Sequence, residues 1–306
     1  MSATASEKPA AISARKLDQL AERVERASAL DGVGGVIAKL AERLLPAGTV
    51  RDLASGVPLG HPAHPLLVAV PIGSWTAASV LDLTGGDRAA ARRLVGLGVL
   101  AALPAAITGA NDWISTAGAE RRVGLVHAAL NDAAVMTYGA SWLARRRGRH
   151  GRGAVLGLVA FGLTGAAGWL GGHLAYALGV GVDTTAFQTL PDEWTDACAE
   201  ADVPDSRGIR ADVADVPVLV ARHAGHVIAL ADRCTHRGAP LHDGEFADGC
   251  VTCPWHGSRF ALEDGTVRAG PATRPQPALD VRIESGRVQV RRRDQQRTLR
   301  ANPVGV

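Results

Sequence analysis

A chain of 306 residues that is 47% hydrophobic and 21% charged is too apolar to be disordered, and it has no collagen-like or coiled-coil period. A net charge of +3, spread without a basic cluster, excludes the electrostatic footprint of a nucleic-acid partner. Four cysteines, Cys198, Cys234, Cys250 and Cys253, are too few for a disulfide scaffold at this length.

The chain starts MSATASEKPAAISARK, with no apolar run of the kind a cleaved signal peptide carries. Residues 13–30 place Leu17, Leu20, Val24 and Ala27 at helical spacing among charges, and a second helix is expected from Val36 to Leu45, before Pro46. Residues 1–56 therefore read as an amphipathic helical segment. Four apolar stretches follow: Leu66–Leu83, Leu94–Ala110, Val123–Ala144 and Ala154–Val182. A bilayer crossing needs about 20 mostly apolar residues, so residues 57–185 read as a four-helix transmembrane bundle, multi-pass in the cell membrane. Arginines cluster after the first and third stretches (Arg88 to Arg93, Arg145 to Arg152). By the positive-inside rule this places both termini outside.

From about residue 192 the hydrophobic period becomes 2. Val218–Ala221 and Val227–Leu230 flank His223-Ala-Gly-His226, Ser258–Leu262 and Thr266–Arg268 flank a turn at Gly265, and Leu279–Ile283 and Arg287–Val290 flank one at Gly286. Three hairpins predict a small all-β domain over 192–293, with a tail at 294–306. The fold class is thus an all-α membrane bundle followed by an all-β domain.

Inside the β region stand Cys234-Thr235-His236 and Cys253-Pro254-Trp255-His256. Two Cys and two His could hold one tetrahedral zinc, although paired zinc ligands usually have two to five residues between them and Cys234 and His236 have one. A [2Fe–2S] cluster with both thiolates on one iron and both imidazoles on the other takes one of each from each loop, and fits the spacing better. Gly238 and Gly257 follow the ligand pairs and allow backbone N–H groups to approach the sulfides.

CTHRGAPL and CPWHGSRF resemble the two cluster-binding boxes of the Rieske iron–sulfur domain, and Gly270-Pro271-Ala272 resembles its proline loop. The resemblance implies Cys234 and Cys253 as ligands of the inner iron and His236 and His256 as ligands of the outer, solvent-facing iron. It also implies roles near the cluster for Ser258, Gly238, Gly257 and Pro271. Rieske proteins of quinol-oxidising complexes add a disulfide and a tyrosine hydroxyl; the matching positions here are Ala239, Trp255 and Phe260. The resemblance is therefore to the ferredoxin and oxygenase branch. It implies a potential in the lower half of the range of about −150 to +300 mV. The missing disulfide fits a reducing compartment, opposite to the charge count, so the side of the membrane stays open.

PLGHPAHPLLVAVPIGSW, TGANDW and GGHLAYALGVGV resemble an uncharacterised family of membrane proteins, domain of unknown function 2231, over residues 57–183. Ionisable residues within spans tend to be functional. His61, His64, Asp82, Asp112, His127, Asp132 and His173 are such residues, and His64, His127 and His173 are candidates for a haem or quinone site. The expected function is one-electron transfer between the cluster and a protein redox partner (a reductase or oxygenase) or the quinone pool, with the lipid bilayer as surroundings. The alternatives are a redox sensor or membrane scaffold whose cluster state changes helix packing, or a component of an oxygenase system. No catalytic residue is expected, because no second iron site of two histidines and a carboxylate accompanies the motif.

Overall fold

The computed structural model describes residues 9–293, so the expected tail lies outside the described residues. The chain divides into two compact units, residues 1–46 with 63–180 and residues 47–62 with 181–306.

The first unit is helical: α1 (Pro9–Glu25), α2 (Asp31–Leu44), α4 (Ala63–Thr84), α5 (Arg88–Ile114), α6 (Gly118–Arg146) and α7 (His150–Tyr176). The short helix α3 (Thr49–Ser55) belongs to the second unit. The helices α4 to α7 are packed inside out. Their buried positions are small, such as Ala78, Gly98, Ala102, Gly157 and Ala160, while Leu66, Leu83, Leu100 and Val155 face outward. Small residues inside and large aliphatics outside suit helices that pack closely in an apolar solvent.

Three of these helices, α4, α5 and α7, are long and apolar enough to cross a membrane; the expected count of four is not met among the described residues. The stretch expected at Val123–Ala144 does form a helix, α6. Its charges dilute its hydropathy: Glu120, Arg121 and Arg122 in its first turns, exposed Asp132 midway, and Arg145 and Arg146 at its end.

Short turns at 85–87, 115–117 and 147–149 fold α4–α5 and α6–α7 into antiparallel hairpins, leaving α4 and α6 parallel. Trp75 of α4 stacks on Tyr138 of α6 with ring centroids 4.1 Å apart. One helical repeat further on, Arg145 Nη1 donates to Asp82 Oδ1 at 2.8 Å across a separation of 63 positions, the same separation that relates Trp75 to Tyr138. The buried positions of α5 (Ala91, Val95, Gly98, Ala102, Ala105, Thr108) recur in step on α7 (Gly153, Gly157, Ala160, Thr164, Ala167, Leu170). Equivalent residues touching each other is the mark of a two-fold relation. The two hairpins are structural repeats around an axis that runs along the bundle between α4 and α6.

The second unit is all-β apart from α3. Its strands are β1 (Thr195–Ala199), β2 (Ile209–Val213), β3 (Val216–His223), β4 (His226–Ala231), β5 (Glu245–Ala247), β6 (Cys250–Thr252), β7 (Arg259–Ala261), β8 (Val267–Ala269), β9 (Ala278–Glu284) and β10 (Arg287–Arg292). They form a six-stranded sheet, β1-β10-β9-β4-β3-β2, and a four-stranded sheet, β5-β6-β7-β8. The three expected hairpins are β3–β4, β7–β8 and β9–β10. Left-handed pairs at Ala224–Gly225 and Ser285–Gly286 make the tight turns that match strand twist. Along β3 the period of two divides the core: Leu219 and Ala221 face the small sheet, and Val218 and Val220 face the other way. Cys198 lies on β1 opposite Val288.

β4 and β9 are neighbours in the large sheet, pairing Leu230 with Ala278. Residues 232–277, which hold both Cys–His motifs and the whole small sheet, are therefore an insertion between adjacent strands. Residues 47–62 also pack here, which differs from a boundary drawn at residue 56 by composition. The reason is local: Asp52 Oδ1 accepts the Gly270 N–H at 2.8 Å, and a Cβ on Gly270 would lie 3.0 Å from Val57.

Candidate metal centre

The two motifs fold into near-identical turns. In the first, Gly238 N donates to Cys234 O at 2.8 Å and Cys234 N donates to Ala239 O at 2.9 Å. In the second, Gly257 N donates to Cys253 O at 3.1 Å and Cys253 N donates to Ser258 O at 2.8 Å. Both turns close on a glycine in the left-handed region, with φ of +77° at Gly238 and +75° at Gly257, where a Cβ is penalised. In each turn the cysteine sulfur accepts backbone N–H groups from the residues two and three further on: His236 and Arg237 in one, Trp255 and His256 in the other.

The turns bring their cysteines together. Cys234 and Cys253 are both buried and share a hydrogen bond. That bond, with the amides of Trp255 and His256, holds the Cys253 thiol down to about 6, while the same bond and burial push Cys234 up. Two thiols thus share a proton where amide dipoles favour thiolate, the form that binds metal.

The histidines converge on the outer side, with ring centroids 5.1 Å apart and the rings edge to face. His236 stands two residues after its cysteine and His256 three, and this difference lets two similar turns present rings that face each other. Burial, followed by the charges of His256, Arg237 and Arg51, holds the His236 imidazole down to about 3, so it is neutral and able to ligate at ordinary pH. Trp255, 58% exposed, lies beside His256 on this outer edge.

Among the described residues no three His, Cys, Asp or Glu side chains gather around one ion. A paired arrangement, sulfur inside and nitrogen outside, is the donor set a two-iron cluster requires and a single tetrahedral zinc does not. The residues present fit the cluster.

Several supports were not visible in the sequence. Buried Gln276 donates through Nε2 to Ala231 O (2.6 Å) and Arg233 O (2.7 Å), and its Oε1 accepts Thr235 N–H at 3.1 Å, so one side chain fixes the backbone on both sides of Cys234. Thr184 Oγ1 donates to Cys234 O at 2.7 Å. On the other side Pro271 is held between two anchors, Gly270 N on Asp52 and Ala272 N on buried Ser258 Oγ at 2.9 Å. No local sequence signal points to Gln276, which stands 20 residues after His256. Of the remaining cysteines, Cys250 is a buried free thiol and Cys198 is a free thiol on β1.

The helical histidines divide. His173 Nε2 lies 2.8 Å from Glu25 Oε1 and is engaged in that pair. His64 and His127 occupy equivalent places in the two hairpins.

Comparison with known proteins agrees with this geometry. The model of the Rieske [2Fe-2S] domain matches residues 193–285, and that of a predicted membrane protein family, DUF2231, matches residues 60–184. The 3-phenylpropionate/cinnamic acid dioxygenase ferredoxin subunit of Escherichia coli is 36% identical over 91 residues, which is 29% of this chain and 85% of the relative. The cytochrome b6-f complex iron-sulfur subunit of Chlorobaculum tepidum is 36% identical over 90 residues, which is 29% of this chain and 49% of the relative. Among solved structures, the ferredoxin of carbazole 1,9a-dioxygenase from Nocardioides aromaticivorans matches at 25% identity and a TM-score of 0.32, over 33% of this chain and 100% of that one. The chain belongs to the Rieske [2Fe-2S] family, carrying its Rieske domain and a DUF2231 membrane-protein domain in one polypeptide.

Proposed function

We propose that the chain is a membrane-anchored carrier of single electrons, with Cys234 and Cys253 ligating the inner iron of its [2Fe–2S] cluster and His236 and His256 the outer one. The observation that carries this reading is the pairing of two matched turns, sulfur to sulfur within and ring to ring without. When bound, the cluster supplies one-electron chemistry. The protein's own contribution is positional: amides aimed at the cysteine sulfurs favour thiolate, Gln276 and Ser258 hold the loops, and the histidine edge beside Trp255 gives a partner its place of approach.

The free cysteines, with Ala239 and Trp255 at the positions of the absent disulfide, favour a ferredoxin-like partner, a reductase or oxygenase, over direct quinol oxidation. The anchor is the α4–α7 bundle. α6 is its fourth crossing, with two of its polar side chains engaged within the helical unit: Arg145 is 1% exposed against Asp82, and Asn131 turns back on His127. A redox sensor would share this site but not its kinetics. Rapid, reversible reduction of the detergent-purified chain by a ferredoxin reductase in stopped flow supports the carrier; reduction slower than any partner turnover refutes it. His236→Cys is expected to abolish the Rieske-type EPR signal of the reduced protein and leave membrane insertion unchanged. A retained signal would remove His236 from the ligand set.

A further inference from the structure

The repeat in the helical unit places two imidazoles at equivalent positions. Trp75–Tyr138 and Asp82–Arg145 fix the register of the parallel helices α4 and α6. His64 and His127 continue the same row of equivalent pairs toward the start of α4, 11 residues before the Trp75–Tyr138 step, or about 16 Å at the helical rise. Eleven residues are close to three whole turns, so His64 and His127 lie on the same helix faces that bring Trp75 and Tyr138 together.

Both rings are held in the same way. His64 Nδ1 lies 2.9 Å from Ala105 O, and His127 Nδ1 lies 2.8 Å from Ala167 O, each on the second helix of its own hairpin. A carbonyl only accepts, so in both rings Nδ1 carries the proton and Nε2 carries the lone pair. That tautomer, oriented by a backbone carbonyl, is the one a metal-ligating histidine needs. Asn131 Nδ2, 3.1 Å from His127 Nε2, donates to that lone pair, a hydrogen bond that a metal bound there replaces. Behind each ring stands an equivalent glycine: a Cβ on Gly109 would lie 2.8 Å from His64 Cε1, and one on Gly171 would lie 3.1 Å from His127 Cε1. The glycines let the neighbouring backbone support the rings closely.

Two nitrogens do not satisfy a bare ion, and among the described residues no third His, Cys, Asp or Glu joins them. Haem iron is different, because the porphyrin brings four nitrogens and leaves two axial positions to the protein. His173, paired with Glu25, stands outside this arrangement. We propose that the helical unit binds one haem, with His64 and His127 as its axial ligands.

The test is the absorption spectrum of the full chain, purified in detergent from haem-replete cells and titrated with hemin. A six-coordinate, low-spin Soret band is expected. It should be lost in His64→Ala and in His127→Ala, and kept in His173→Ala. His64→Met should keep a six-coordinate haem with a displaced spectrum, which a merely structural role for His64 would not produce. The helical circular dichroism signal reports folding of each variant, and the EPR signal of the reduced cluster reports the β unit separately, so the proposal and the cluster reading fail independently. It is overturned if the wild-type chain takes up no haem, if folded alanine variants bind hemin as the wild type does, or if the unit binds a quinone analogue in place of haem.

Discussion

Ser258 offers a direct test of how the protein sets the potential of its cluster. Its hydroxyl oxygen is fully buried and accepts the Ala272 N–H at 2.9 Å, while its own carbonyl accepts the Cys253 N–H. With the oxygen engaged as acceptor, its proton is left for a further acceptor, which the resemblance to Rieske domains implies is a sulfur of the cluster. A hydrogen bond to a charged acceptor contributes roughly 1.5–3 kcal/mol against about 0.5–1.5 for a neutral one, so this donor favours the more negative, reduced state by about 1 kcal/mol. For a one-electron couple, where a tenfold change in equilibrium is about 59 mV, that is about 40 mV. Ser258→Ala should lower the midpoint by that amount in an EPR-monitored redox titration. The same change strands the Ala272 N–H, which costs about 1–3 kcal/mol of stability in both redox states and appears in denaturant unfolding, not in the midpoint. An unchanged or raised midpoint in a variant with full cluster content would refute the assignment of this hydroxyl.

Phe260, fully buried in the core that holds both cysteines, gives the reverse case: Phe260→Tyr adds a donor and should raise the midpoint by a similar amount in the same titration. Asp52→Ala removes the carboxylate that accepts the Gly270 N–H. It is expected to cost about 1–3 kcal/mol and to speed cluster loss, followed by the decay of visible absorbance under air. In the helical unit, Asp82→Ala leaves Arg145, 1% exposed, without its counter-charge, at a cost of about 3–5 kcal/mol. The double change Asp82→Leu with Arg145→Leu should return most of that in detergent thermal unfolding, and failure of the double variant to recover would show that the pair contributes more than charge compensation.

What the sequence made legible follows the range over which its signals act. The Cys234–His236 and Cys253–His256 motifs are each contained in one turn, so their chemistry could be read from spacing, and the strand period of two located β3, β4, β9 and β10. Signals that act across the fold were not legible. Asp52 reads as part of a helical leader, yet it anchors Gly270, because a hydrogen bond between a side chain and a distant amide leaves no periodic trace. Gln276 looks like any polar loop residue until its amide is seen bonding three backbone groups of the distant segment Ala231–Thr235. α6 reads as a fourth apolar stretch over Val123–Ala144; its exposed Asp132 and its charged ends separate it from the other three.

The two sites share a principle of construction that explains why one was readable as a motif and the other only as separate histidines. In each, a short unit is used twice and the site forms where the copies meet. The β unit repeats a turn closed by Gly238 and by Gly257, so the copies lie close together in sequence and both carry Cys, His and Gly. The helical unit repeats a hairpin, and its pairs stand 63 positions apart with different residues in most of them: Trp75 opposite Tyr138, and Asp82 opposite Arg145. Chemistry at those pairs calls for complementary partners, a ring on a ring and an acid on a base, so the repeat is legible only through contacts. At His64 and His127 the same polar residue stands in both repeats, each backed by a glycine and tied to a carbonyl. Two like imidazoles at one level of the bundle, each held by a carbonyl of its own hairpin, gain nothing from each other directly, and for that reason the haem titration is the decisive measurement on this half of the molecule.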